Sequence, residues 1–185
     1  MYGGLIARRY AKALFEYSSQ MGDTDSAYDG ILILKQLCSD SSFMEYLSLP
    51  VVTYSEKAEK ITAMIAEKGN RSDSLSRFIS LILKKGRENH LIEIINAFAF
   101  IYKEDRKILD VILITAAEPD PAVSEGMKAL IEEKTGYGVN IFNECQPDII
   151  GGFILRHEGY QLDVSVKRAL KRIEKAFERK NNRIV

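Results

Sequence analysis

Residues 107–117 read KILDVILITAA, and the fold class turns on them, because the hydrophobic period changes there. The run is rich in Ile, Leu and Val and predicts a buried β-strand. Downstream, strand and helix alternate. DPAVSEGMKALIEEKTG (120–136) predicts a helix with Asp120 as cap, Pro121 at its first position and Gly136 at its end. GVNIFNEC (138–145) alternates at period two, and DIIGGFILRHEGYQLD (148–163) predicts a hairpin turning at Glu158-Gly159. VSVKRALKRIEKAFERK (164–180) closes the chain as an amphipathic helix. Residues 106–185 therefore form a small unit, written β-α-β-β-α.

Upstream of Arg106 the chain reads as helix after helix. The first ends at Met21-Gly22-Asp23, and Asp25 or Ser26 can cap the second, whose Tyr28, Ile31, Leu32, Leu34 and Leu37 recur near period 3.6. A short third fits DSSFMEYL (40–47) and stops before Pro50. Thr53 and Glu56 have capping-box spacing, and Gly69 is placed to end the fourth helix. Ser72 or Asp73 opens the fifth, which runs to Gly86, and the sixth covers about 88–105. The fold class is α+β: a six-helix bundle over 1–105, then the mixed C-terminal domain over 106–185.

Composition excludes several function classes. Lys plus Arg and Asp plus Glu are equal at 26 each among 185 residues, so no global field draws the chain to nucleic acid or anionic lipid. Two cysteines, Cys38 and Cys145, lie far apart with no C-x-x-C, which fits free thiols in a reducing compartment. The longest apolar runs are too short to span a bilayer, and MYGGLIARRY carries neither an h-region nor a transit-peptide pattern. The expectation is a cytosolic chain without direct membrane insertion, attached to a membrane only through a partner.

Chemistry-bearing motifs are missing. The two histidines, His90 and His157, have no metal-ligand spacing to Cys, Asp or Glu, and they read as a polar helix-start residue and an exposed hairpin residue. G-x-S-x-G, H-E-x-x-H and Walker-type loops do not occur. Gly151-Gly152 reads as lying inside an apolar strand and not between a strand and a helix, so it suits a bulge or a close backbone approach better than a phosphate loop. No catalytic, cofactor-binding or metal residue is expected, and the chain is expected not to be an enzyme. The alternative is a basic C-terminal helix as a nucleic-acid-binding module. Lys167, Arg168, Lys171, Arg172, Lys175, Arg179, Lys180 and Arg183 face only Glu174 and Glu178 there. Val166, Ala169, Leu170, Ile173, Ala176 and Phe177 instead read as a core face, and the charged side lacks stacking aromatics, so no nucleic-acid partner is expected.

The stronger lead is surplus apolar surface. In LIARRYAKALFEY (5–17), Ile6, Ala7, Tyr10, Ala13, Leu14 and Tyr17 share one face that Ala11 and Phe15 widen to roughly 200°, about twice what one core requires. SLSRFISLILKK (74–85) repeats the pattern through Leu75, Phe78, Ile79, Leu81, Ile82 and Leu83. If helices 1 and 5 lie side by side, their spare faces form a groove suited to an amphipathic helix from another chain.

Three segments carry a resemblance. ARRYAKALFE (7–16), KKGRENHLIEII (84–95) and DIIGGFILRHEGYQLDVSVKRALKRI (148–173) resemble, in order and spacing, the signatures of the delta subunit of bacterial F-type ATP synthase, a relative of the mitochondrial oligomycin-sensitivity-conferring protein. One departure is the family's usual Asp-Gly-Ser before the last helix, which stands here as Asp163-Val164-Ser165. The resemblance implies a non-catalytic stator subunit without a cofactor, on the cytoplasmic side of the bacterial membrane, joining catalytic head to membrane sector while the rotor turns. It implies two partners: the N-terminal helix of an alpha subunit, docked between helices 1 and 5, and the C-terminus of the b subunit, received by the C-terminal domain. The residues it points to for the first partner are Ile6, Tyr10, Ala13, Leu14, Phe78, Ile79, Ile82 and Leu83, a set in which the sequence does not separate core-facing from groove-facing positions. If such a groove covers ~800 Å² of apolar surface, the gross gain is ~20 kcal/mol. Association costs of ~4–15 kcal/mol leave a net value that brackets the ~12 kcal/mol of a nanomolar clamp. Binding of this kind is expected to depend only weakly on salt.

Overall fold

In the computed structural model, which describes residues 4–181 and side chains as far as Phe177, the chain divides into two compact units, Met1–Asp105 and Arg106–Val185. The first holds six α-helices: α1 (Leu5–Met21), α2 (Thr24–Cys38), α3 (Ser41–Ser48), α4 (Tyr54–Glu67), α5 (Asp73–Lys84) and α6 (Leu91–Asp105). Their ends follow local chemistry. Gly22 takes a left-handed conformation at φ 72° and returns its N–H to the last turn of α1. Thr53 and Glu56 form the capping box that starts α4. Ser72 Oγ accepts the N–H of Leu75 and so caps α5.

The start of α2 differs from the sequence expectation. The helix begins at Thr24, ahead of Asp25 and Ser26, and Asp23 occupies the cap position without capping. Its carboxylate is used elsewhere, accepting from Ser72 Oγ at 2.8 Å and from Ser74 Oγ at 2.7 Å and N at 3.2 Å. Burial raises the Asp23 pKa, but the hydrogen bonds from Ser74 and Ser72 together outweigh it and hold the group below its ordinary value. One side chain thus ties the α1–α2 turn to the start of α5.

The helical core is continuous. Ala7, Ala11, Leu14 and Ser18 form the buried seam of α1, small at one end so that α6 approaches closely. Phe15 meets Phe98 of α6 with ring centroids 6.4 Å apart. Tyr28 of α2 stacks on Tyr102 of α6 at 3.8 Å, and Tyr102 Oη donates to Asp25. Gly30 lets α2 approach α5 closely: a Cβ there would stand 2.4 Å from Leu75 Cδ2, so that side chain would have to shift.

The second unit is a four-stranded sheet with two helices: β1 (Ile108–Thr115), α7 (Pro121–Thr135), β2 (Gly138–Cys145), β3 (Phe153–His157), β4 (Tyr160–Asp163) and α8 (Val166–Asn181). Sheet order is β2-β1-β3-β4; β1 pairs parallel with β2 across α7, and the other pairs are antiparallel. The short form β-α-β-β-α is therefore corrected to β-α-β-β-β-α, since the hairpin supplies two strands in addition to β2. Ile114, Ile149 and Ile154 form a small core on one face, with Ile112 and Ala116 against it.

Gly151-Gly152 precedes β3 instead of lying within it. Gly152 has φ 74°, and a Cβ there would fall 2.3 Å from the Val164 carbonyl oxygen, so the close backbone approach is real. At the family's Asp-Gly-Ser position, Val164 does not have positive φ, which removes the need for glycine. Asp163 Oδ1 accepts the Ser165 N–H, and Ser165 Oγ accepts the Arg168 N–H to open α8.

Candidate functional site

Helices α1 and α5 are neighbours. Tyr10 meets Phe78 edge-on with centroids 6.4 Å apart, and Arg77 Nη1 donates to Tyr17 Oη at 2.7 Å. Beside this contact lies a cleft of about 520 Å³ lined by Leu5, Ile6, Arg9, Tyr10, Ala13, Leu81 and Arg87. Its apolar walls are open to solvent: Leu5 is 91% exposed, Leu81 44% and Ile6 39%. Exposed aliphatic side chains gathered around one concavity on an otherwise closed core are the surface a partner can cover.

The eight residues singled out from the sequence separate into two groups. Ile6, Tyr10 and Ala13 line the cleft. Leu14, Phe78, Ile79, Ile82 and Leu83 are buried in the helical core, Leu14 and Ile79 with 1% and 2% exposure. The reason is the number of neighbours. Helix α5 is packed by α1, α2 and α4, which absorb its whole apolar arc except Leu81. The wide arc of α5 thus marks a largely surrounded helix, and the uncovered surplus is Leu5 and Ile6 of α1 with Leu81 of α5. Leu5, Leu81, Arg9 and Arg87 complete the cleft but are absent from the sequence-based set. Leu5 opens the first apolar stretch and Leu81 sits in the second, so both carried a signal; Arg87, in the turn after α5, carried none.

A second open surface lies on α8. Leu170, Ile173 and Phe177 are more than half exposed, as is Ile150 beside them, and Ala169 and Ala176 are exposed too. The reading of this stripe as a core face is corrected: amphipathic spacing is the same whether a core or a partner covers it. Among its basic residues, Lys167 pairs with Asp148 at 3.1 Å and Arg168 donates to the Asp163 carbonyl. Arg179, Lys180 and Arg183 lie outside the described side chains.

Groups with reactive potential have structural surroundings. Cys38 is buried, which pushes its thiol up to about 11, and Cys145 is exposed. His157 is half-buried, not exposed, with Nδ1 2.9 Å from the Asp110 carbonyl oxygen. Among the described residues, three or more His, Cys, Asp or Glu nowhere gather as a metal site, and no helix is long and apolar enough to cross a membrane.

Comparison with known proteins supplies the context for both surfaces. The model of the ATP synthase delta (OSCP) subunit family matches residues 6–177. The ATP synthase subunit delta of Phocaeicola vulgatus is 33% identical over 186 residues, covering 100% of both chains. That of Lactobacillus acidophilus is 32% identical over 170 residues, 91% of this chain and 92% of the relative. A chain in the structure of the Toxoplasma gondii mitochondrial ATP synthase hexamer is similar in fold, with a TM-score of 0.72 at 18% identity over 94% of this chain and 98% of that one.

Proposed function

The chain belongs to the ATP synthase delta (OSCP) subunit family, and from that premise we propose that its α1–α5 cleft captures the N-terminal helix of an alpha subunit. The chain is a subunit of ATP synthase in the peripheral stalk. It acts as a mechanical clamp and not as a catalyst, resting against the membrane sector only through the assembled complex. The observation that carries the reading is the cleft itself: Leu5, Ile6, Ala13 and Leu81 are uncovered while the rest of the α5 arc is buried. Covering such side chains contributes about 25 cal/mol per Å² of apolar surface, and an amphipathic helix presents them at i, i+3 and i+4. Tyr10 gives the wall a rigid ring held by Phe78.

The second partner is the C-terminal end of the b subunit, received on the exposed Leu170, Ile173 and Phe177 stripe of α8. The N-terminal helical unit and the mixed C-terminal unit thus serve one partner each.

Calorimetric titration of the full chain with a synthetic peptide of the cognate alpha subunit's N-terminus tests the reading. Tight binding is expected, weakened at least tenfold by Ala13→Asp, a change at an exposed position. An Ala13→Asp chain that binds as well as the wild type overturns the assignment of the cleft.

A further inference from the structure

We propose that Arg9 and Arg87 make the cleft selective for an apolar helix that carries acidic side chains on its flanks, a proposal that rests on the cleft being the docking site. Arg9 and Arg87 come from separate elements, α1 and the turn after α5, and both residues line the cleft. Among the described residues, no carboxylate lines it. The first turn of α1 carries no acidic residue, and the nearest acid further along, Glu16, is engaged by Lys12 at 3.6 Å. Neither Arg9 nor Arg87 has a side-chain hydrogen bond or ion pair among the described residues, whereas Arg77 on α5 is committed to Tyr17.

An arginine at the edge of an apolar cleft can lay its methylene stem on the wall and leave its planar head at the rim. That head matches a carboxylate with two parallel donors, a geometry lysine lacks. Two such heads on one docking surface favour a helix with Asp or Glu beside its apolar stripe and repel one with Lys or Arg there. Rim charges act mainly on the association rate and its salt sensitivity. The apolar walls then set most of the affinity, and the arginines set which helix is accepted. This revises the expectation of weak salt dependence: part of the affinity is lost as salt rises, and the apolar part persists.

The test uses the full chain and two synthetic peptides. One is the N-terminal segment of the cognate alpha subunit; the other is the same segment with Asp and Glu changed to Asn and Gln. Affinity and association rate are measured at low and moderate salt. The wild-type chain is expected to bind the acidic peptide about three- to tenfold more tightly at low salt, the sum of two exposed charge pairs. The gap should close at moderate salt, and the double variant Arg9→Gln/Arg87→Gln should abolish it and slow association. Ala13→Asp should weaken both peptides. Wild-type protein without preference for the acidic peptide, a double variant that keeps the preference, or a cognate segment without carboxylates overturns the charge selection while leaving the docking reading in place. Failure of both peptides to bind wild-type protein overturns docking and the selection together.

Discussion

Adjacent positions on α1 should respond in opposite ways to substitution. Leu14 is 1% exposed at the heart of the helical core, and Ala13 beside it faces the cleft. Leu14→Ala removes a fully buried side chain from the helical core, and the combined loss of transfer energy and residual cavity is about 3–5 kcal/mol. Ala13→Asp removes nothing from the core; its cost is the lower helix propensity of aspartate, about 0.6 kcal/mol. With a urea slope of about 1–3 kcal/mol per molar, Leu14→Ala should lower the midpoint of the helical unit by more than 1 M, and Ala13→Asp by less than half that. Far-UV circular dichroism during urea titration of the full chain reads both, and peptide titration on the same samples reads capture. Leu14→Ala in a folded sample should bind close to normally, whereas Ala13→Asp should be stable and deficient in binding. A Leu14→Ala loss below about 1 kcal/mol would refute the placement of this side chain in the core.

Four further outcomes follow from the same structure. Asp23 is held below its ordinary pKa in the folded state, so its contribution is present above the unfolded value near 4 and is lost as pH falls through the depressed folded one; Asp23→Asn should cost about 1–3 kcal/mol at neutral pH and flatten the acid limb of stability against pH. Gly152→Ala combines a left-handed backbone with a Cβ 2.3 Å from the Val164 oxygen and should destabilise the C-terminal unit by about 2–4 kcal/mol in thermal melts. Gly159→Ala, at φ 90° in open space, should cost only about 1–2 kcal/mol in the same melts. Maleimide labelling at pH 8 should modify Cys145 quickly and Cys38 only after unfolding, because the latter thiol is buried and pushed up to about 11.

Much of the helical architecture is written locally. Thr53 and Glu56, Gly22, and the trio Asp120, Pro121 and Gly136 each satisfy or terminate backbone groups within a few residues, so short stretches suffice to place helix ends. Asp23 shows the limit of that logic. Its partners Ser72 and Ser74 lie some fifty positions away, and local spacing cannot show a carboxylate being drawn from its own helix to another. Periodicity gives the width of an apolar arc but not how many neighbours share it. Helix α5 buries its arc on three sides, and α1 leaves Leu5 and Ile6 in solvent, although the two patterns look alike. The same ambiguity makes the α8 stripe resemble a core face. Arg87 sits in a turn, where period has no meaning, and only the fold brings it to the cleft that Arg9 also lines.

The central claim is that the α1–α5 cleft is filled by the alpha subunit in the working enzyme, and site-specific photocrosslinking in the purified, assembled ATP synthase tests it most directly. A benzophenone side chain at position 13 should crosslink to the first residues of an alpha subunit, and one at Lys35, exposed on α2, should not. A position-13 crosslink to any other subunit, or none in fully assembled complex, would contradict the account.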